Sequence, residues 1–243
     1  MIDHLCKAVM TNLRTTCFVE TGLYMGETVA EVSVWFAEMY PNFGVVTHLV
    51  HYGLKSQNPW NSFIPYPVFR AVDIGVNYFW SPASQIYSID QSLPFVENVR
   101  GIFASNPNIN IIHGSSEQEL AKLVSSEKLR ADQNPFIYLD AHWDDYWPLR
   151  DELEVILKLD KAVVVVDDFQ VPGRPEWGFD MYQGKPCGLA TISDLILRHP
   201  PVAVFFPVRS NRDNRGWVMI FKGYSEQELR FMSGLPFVRV TGT

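Results

Sequence analysis

Residues 136–145 read FIYLDAHWDD, and residues 162–168 read AVVVVDD. Each stretch is an apolar run of the length of one buried strand, and each ends abruptly in carboxylates. Because ligands bind outside the carboxyl ends of the strands in an open α/β sheet, we expect Asp140, Asp167 and Asp168 to share one crevice, with His142 close by. Oxygen ligands of this kind suit hard cations. The two stretches therefore predict the floor of an active site.

Strand patterns alternate with helical patterns along most of the chain. Strands are predicted at residues 16–20, 85–90, 110–114, 136–140 and 162–166. Helices are predicted at residues 3–14, 28–40, 94–104, 116–124 and 148–159, and around 189–196. Residues 202–208 and 217–222, joined by a polar turn, predict an antiparallel hairpin at the sheet edge. The order predicts an α/β fold with a doubly wound, mostly parallel seven-stranded sheet and an antiparallel C-terminal hairpin.

The length of 243 residues suits a single domain over residues 1–243. Residues 42–85 form an unusual stretch within it, rich in aromatic residues and proline and without a clean period. A segment of this size inside a domain is typical of a lid, a substrate wall or an interface, or else of a structural insertion packed on the core.

Charge and cysteine usage bear on partners and location. The formal net charge of -7 disfavours nucleic acid as a partner. Three cysteines without CxxC spacing indicate a reduced, cytoplasmic protein, and the first residues lack the features of a signal peptide. No apolar run approaches the ~20 residues that span a membrane. A homo-oligomer is compatible with the sequence.

A glycine turn follows the first predicted strand. Residues 21–28 read TGLYMGET, and a helical pattern begins at their end. This arrangement brings backbone N–H groups next to a ligand, although its G-x-x-x-G spacing is not the dinucleotide fingerprint. Glu20 disfavours a phosphate there and suits an amino group or sugar hydroxyls. Alternatively, Gly22 and Gly26 only permit tight strand–helix packing. Asp90, ending the second strand, predicts a ribose acceptor or a helix cap.

Several segments resemble one known family. The strand order, closing hairpin included, is similar to that of class I S-adenosylmethionine-dependent methyltransferases, and closer to the metal-dependent catechol O-methyltransferase type. FVETGLYMGET at 18–28 resembles the first motif of that family, E-x-G-x-Y-x-G-x-S/T, and HGSSE at 113–117 is similar to its G-x-S-Q segment beside the adenine. LDAHW at 139–143 resembles its L-D-H-W segment, and VDDFQVPGRP at 166–175 resembles its D-N-x-x-x-P-G-x-P segment.

The resemblance implies S-adenosylmethionine as cofactor and Mg²⁺ as metal. It implies that the cofactor is surrounded by Glu20, Gly22, Tyr24, Gly26, Thr28, Asp90, Gln91, Gly114, Ser115, Ser116, Asp140 and His142. It implies that the metal is held by Asp140, Asp167 and Asp168. Three departures from the family pattern stand out: Ala141 is an extra residue, Asp144 replaces the catalytic lysine, and Asp168 replaces an asparagine.

The predicted function is a Mg²⁺-dependent O-methyltransferase acting on a small-molecule hydroxyl of a natural product, phenol or sugar. The ion would acidify and orient the hydroxyl. His142 is the first candidate for the base, since imidazole exchanges protons near neutral pH, and Asp144 or Asp145 comes next. One alternative is a metal-dependent glycosyl or nucleotidyl transferase. Another is a non-catalytic binding protein on the same fold, in which the acids only cap helices.

Overall fold

An eight-stranded sheet with helices on both faces makes up most of the chain. The computed structural model describes residues 4–40, 84–142 and 146–240. The strands are β1 (Cys17–Thr21), β2 (Gln85–Asp90), β3 (Ile109–His113), β4 (Phe136–Leu139), β5 (Ala162–Val166), β6 (Met181–Tyr182), β7 (Lys185–Pro186), β8 (Val202–Pro207), β9 (Val218–Lys222) and β10 (Phe237–Arg239). The helices are α1 (His4–Leu13), α2 (Glu27–Met39), α3 (Leu93–Ile102), α4 (Ser116–Ser125), α5 (Leu149–Ile156) and α6 (Leu189–Arg198). Short 3₁₀ helices span Ala131–Gln133 and Glu228–Gly234.

The order of the strands across the sheet is β3-β2-β1-β4-β5-β9-β8-β10. Strands β1 to β5 pair in parallel, and β9 lies antiparallel between β5 and β8. The order reverses between β1 and β4, which is the switch point where the ligand crevice of such a sheet lies. The predicted fold class is confirmed.

The number of strands in the predicted sheet was wrong. Strands β8 and β9 form the predicted antiparallel hairpin, and β9 also pairs with β5. The edge is formed instead by β10, an eighth strand that pairs antiparallel with β8. The small β6–β7 hairpin is separate from the main sheet.

Each face of the sheet carries its own apolar layer. Side chains of α1, α2 and α3 pack with Phe18 on one face, and those of α4, α5 and α6 pack with Val19 on the other. This alternation is the period of two expected of a strand buried on both faces. Strand β1 is therefore held from both sides, and the turn that follows it starts from a rigid position.

Some predictions fall outside the described residues. The predicted insertion at 42–85 does so except for Ser84 and Gln85, and Gln85 opens β2. The candidate base Asp144 and its neighbours Trp143 and Asp145 also lie outside the described residues. Within the described ranges, no helix has both the length and the apolar character needed to cross a membrane.

Candidate active site

The glycine turn after β1 brings three strand ends into contact. Gly22 has a φ of +86°, and a Cβ at this position would lie 2.6 Å from the carbonyl oxygen of Asp140. Its N–H donates to the carbonyl of Ile89 at 3.0 Å. Gly26 has a φ of +78°, and a Cβ there would lie 2.8 Å from a methyl group of Val99. Both glycines thus permit close packing, and that packing sets the turn at the carboxyl edge of β1, β2 and β4.

Asp90 ties this turn to the end of β2. Its carboxylate accepts hydrogen bonds from the N–H of Tyr24 at 3.2 Å and of Ser92 at 2.7 Å. The second contact closes a local turn before α3, whose N-cap residue is Ser92 and which has no side-chain capping bond. The first is a long-range contact that fixes the glycine turn. Tyr24 itself has a φ of +45° and is 60% exposed, and its ring packs edge-on against Phe95.

Glu20 is a fully buried acid beside Asp90. Its carboxylate accepts a hydrogen bond of 2.6 Å from the hydroxyl of Ser88, its neighbour across the β1–β2 pair. Burial raises the pKa of Glu20 to about 8, the hydroxyls of Ser88 and Thr28 oppose that rise, and the charge of Asp90 adds to it. Glu20 is therefore a proton-carrying acid near neutral pH, and a positive ligand group beside it would favour its ionised form.

The turn after β3 lies against the same edge. The N–H of Gly114 donates to the carbonyl of Asp90 at 3.0 Å, and the ring of His113 contacts the carbonyl of Gln91 at 3.1 Å. Ser115 takes the N-cap position of α4 without a side-chain capping bond. The buried hydroxyls of Ser115 and Ser116 have no hydrogen-bond partner among the described residues. A buried hydroxyl without a well-formed hydrogen bond is uncommon, and the hydroxyl of Ser116 lies near the carboxylate of Glu152.

Glu152 is a buried acid of the site that the sequence analysis missed. It lies on α5 with both carboxylate oxygens lacking a well-formed hydrogen bond from the described residues. Burial raises its pKa to about 7, and the nearby hydroxyls of Ser116 and Thr21 oppose the rise. The signal was available in the sequence, because Glu152 falls at a core position of the helical pattern formed by Leu149 and Leu153.

The ends of β4 and β5 share one cleft, as predicted. Asp140, His142, Asp167 and Asp168 line it, together with Glu152 and Asp180, and with the apolar side chains of Leu139, Ala141, Trp147, Leu149 and Val166. Burial raises the pKa of Asp140 well above its usual range, and the charge of Asp167 raises it further.

Two of these acids are already engaged by other side chains. Asp167 accepts hydrogen bonds from the hydroxyl of Tyr138 and, at 3.1 Å, from the amide of Asn211. Asp168, with a φ of +53°, accepts one from the guanidinium of Arg215, which also donates to Asp180. Burial and the charge of Asp167 raise the pKa of Asp168 to about 6 against the opposing effect of Arg215.

The predicted Mg²⁺ site is not assembled by these residues. In the ranges that the structure describes, no three His, Cys, Asp or Glu side chains converge in a way that would hold a metal. Asp140, Asp167 and Asp168 line one cleft but do not form a ligand set, because Arg215 pairs with Asp168 and because Tyr138 and Asn211 bind Asp167.

His142 lies at the exposed rim of this cleft. Its side chain is 62% exposed, and its Nδ1 lies 3.9 Å from a carboxylate oxygen of Asp180. That distance is too long for a hydrogen bond, and it leaves the imidazole facing a carboxylate. Asp180 thus stands between the imidazole of His142 and the guanidinium of Arg215.

The sheet order and the helices on its two faces define the fold of class I S-adenosylmethionine-dependent methyltransferases. The chain is similar to the O-methyltransferase from Bacillus cereus, solved with S-adenosylhomocysteine, at 16% identity and a TM-score of 0.54 over 91% of this chain and 82% of that one. It is also similar to the O-methyltransferase TomG from Streptomyces achromogenes, involved in tomaymycin synthesis and solved with S-adenosylmethionine, at 15% identity and a TM-score of 0.55 over 90% and 78%. No family model and no curated protein matches the sequence.

Proposed function

We propose that this protein is an S-adenosylmethionine-dependent methyltransferase that methylates a hydroxyl oxygen of a small molecule. The observation that carries the proposal is the glycine turn after β1. Gly22 packs against the backbone of Asp140, and the carboxylate of Asp90 accepts a hydrogen bond from the turn. Glu20 lies buried in the strand just before the turn. This combination places three acids from separate strands around one turn at the switch point of the sheet, on a fold that solved O-methyltransferases share.

The chemistry of these residues suits the proposed cofactor. When bound, S-adenosylmethionine supplies a methyl group activated by a positive sulfur. Asp90 favours a cationic ligand over an anionic one, and so does Glu20, because a positive group beside it stabilises its ionised form. Asp90 retains acceptor capacity for ribose hydroxyls beyond its two backbone contacts. In this proposal the hydroxyls of Ser115 and Ser116 at the start of α4 would bind the base of the cofactor.

The cleft at the ends of β4 and β5 would hold the acceptor. In the proposed reaction a lone pair of the acceptor oxygen forms the bond to the methyl carbon, the carbon–sulfur bond breaks, and its electron pair stays on sulfur. The hydroxyl proton would pass to the imidazole of His142, which lies at the rim of this cleft and faces Asp180. Trp147 lines the cleft and offers a wall to a ring of a phenol or sugar.

Calorimetric titration with S-adenosylhomocysteine tests the proposal. We expect saturable binding by the wild-type chain and at least about tenfold weaker binding by Asp90→Asn, which weakens the acceptor for both the ribose and the glycine turn. Asp132→Asn is the matched control, because this exposed acid pairs with its near neighbour Arg130 in the segment before β4. The absence of binding at millimolar ligand, or equal affinities of wild type and Asp90→Asn, would contradict the proposal.

A thermal-shift comparison addresses the transferase alternative. The same chain is heated with S-adenosylmethionine or with a uridine diphosphate sugar, and only the former is expected to raise the melting temperature. Stabilisation by the nucleotide sugar alone would favour a glycosyl transferase. Stabilisation by neither ligand would count against both enzymes.

A further inference from the structure

We propose that Arg215 is the built-in cation of the acceptor cleft, and that the cleft works without a divalent metal ion. The inference deepens the proposed function and rests on it, because it assumes that this cleft is the acceptor side. The family resemblance assigns the cleft a Mg²⁺ ion. In this chain the guanidinium of Arg215, from the loop between β8 and β9, donates to Asp168, one of the assigned metal ligands, and to Asp180, a second acid that lines the cleft.

The contacts of Arg215 are those of a bridging cation. Its Nε donates to Asp168 and its Nη2 donates to Asp180, so one planar group joins two acids that line the cleft. A guanidinium keeps its charge at every physiological pH and matches carboxylates in a fixed fork. A divalent ion at Asp168 would have to displace this partner and overcome repulsion from its charge at close range.

The loop that carries Arg215 is built to hold it there. The side-chain oxygen of Asn211 accepts hydrogen bonds from the N–H groups of Arg215 at 2.9 Å and Asp213 at 3.0 Å. The amide of Asn211 donates to Asp167 at the same time. The loop between β8 and β9 therefore donates hydrogen bonds to both Asp167 and Asp168 at the end of β5. The pairing of Arg215 with Asp168 is thus held by the structure of the loop itself.

The segment around Gly178 packs closely against the side chain of Arg215. A Cβ at Gly178 would lie 3.2 Å from Cγ of Arg215. The N–H of Gly178 donates to the carbonyl of Asn214 at 2.9 Å, and its carbonyl accepts from the N–H of Gly216 at 2.8 Å, so two backbone hydrogen bonds join it to the same loop. Asp180 follows two residues later, and its second carboxylate oxygen faces His142. Arg215 thereby fixes the acid that orients the proposed base.

Titration of the full chain with MnCl₂, followed by the paramagnetic resonance signal of free Mn²⁺, tests the proposal. We expect the wild-type chain to leave Mn²⁺ free up to about 1 mM. Arg215→Gln, which removes the competing charge, is expected to bind Mn²⁺ at least about tenfold more tightly. Arg212→Gln is the matched control, because Arg212 lies in the same loop but pairs with Glu31. This variant is expected to leave Mn²⁺ free, as the wild type does.

Two results would overturn the proposal. One is tight Mn²⁺ binding by the wild-type chain that Asp168→Asn abolishes. The other is a folded Arg215→Gln that binds Mn²⁺ no better than the wild type. Should Arg215→Gln fail to fold by circular dichroism, the wild-type titration decides by itself, and Arg215→Lys, which keeps the charge, is expected to exclude Mn²⁺ as well. Titration of the same samples with S-adenosylhomocysteine reports on the proposed function separately.

Discussion

Replacing Gly22 by alanine is expected to abolish binding of S-adenosylhomocysteine and to lower the free energy of unfolding by about 3 kcal/mol. The left-handed backbone at this residue, with a φ of +86°, accounts for about 1–2 kcal/mol of that loss. The remainder comes from the added Cβ, which would lie 2.6 Å from a backbone oxygen of Asp140. That oxygen belongs to the end of a central strand, so relief of the clash displaces the turn and the strand end together. Urea denaturation and calorimetric titration measure the two effects.

Gly173 provides a control that separates strain from contact. It has a φ of +76°, close to that of Gly22, but a Cβ there would meet nothing within 4 Å. Gly173→Ala is therefore expected to cost only the backbone strain, about 1–2 kcal/mol, and to leave ligand binding unchanged. Equal losses of stability in the two variants would show that the contact with Asp140 does not matter. Unimpaired ligand binding by a folded Gly22→Ala would contradict the proposed cofactor site.

The main strands and the acids at their ends could be predicted because the signal for each is local. Five consecutive small or β-branched residues at Ala162–Val166 suit a strand buried on both faces, and the observed strand has these bounds. The alternation of such runs with helical patterns then restricts the sheet to few topologies. Because parallel strands end at one edge, a shared cleft for Asp140 and Asp167 follows from the topology alone.

The partners of those acids could not be predicted in this way. Arg215 lies 47 residues from Asp168, and Asn211 lies 44 residues from Asp167. Within the sequence they belong to an ordinary polar turn, and their roles arise only when β9 inserts beside β5. Strand β10 was missed for a related reason. It has three residues and pairs with β8, so its formation depends on β8 more than on its own sequence pattern.

The stability of the wild-type chain is expected to fall as the pH rises from about 5 to about 9, and Glu20→Gln is expected to remove much of that fall. The pKa of Glu20 in the folded chain is about 8, above its ordinary value of 4.5. Below pH 4.5 the acid is protonated in both the folded and unfolded states, and its contribution to stability is fully present. Above that pH the unfolded chain releases the proton first, so stability is lost until the pH passes 8. A shift of this size corresponds to on the order of 5 kcal/mol.

Urea denaturation at pH 5, 7 and 9 measures this dependence. Glu152 and Asp140, whose pKa values burial also raises, contribute losses of the same sign, so the part of the loss that Glu20→Gln removes is the part assigned to Glu20. Glu226→Gln is the control, because this exposed acid pairs with Arg239, which lowers its pKa. It is ionised in both states throughout the range and is expected to leave the slope unchanged. A wild-type chain whose stability is constant from pH 7 to 9 would contradict a buried, protonated Glu20.

The same acid links the pH dependence to the proposed cofactor site. If the ammonium group of S-adenosylhomocysteine binds beside Glu20, its charge favours the ionised carboxylate, and binding at pH 7 should release close to one proton. Calorimetric titrations in phosphate and in Tris, buffers with different heats of ionisation, measure that number. Glu20→Gln has no proton to release and is expected to give the same apparent enthalpy in both buffers. Proton release that persists in this variant would assign it to another acid, and binding without any release in the wild type would place the ligand away from Glu20.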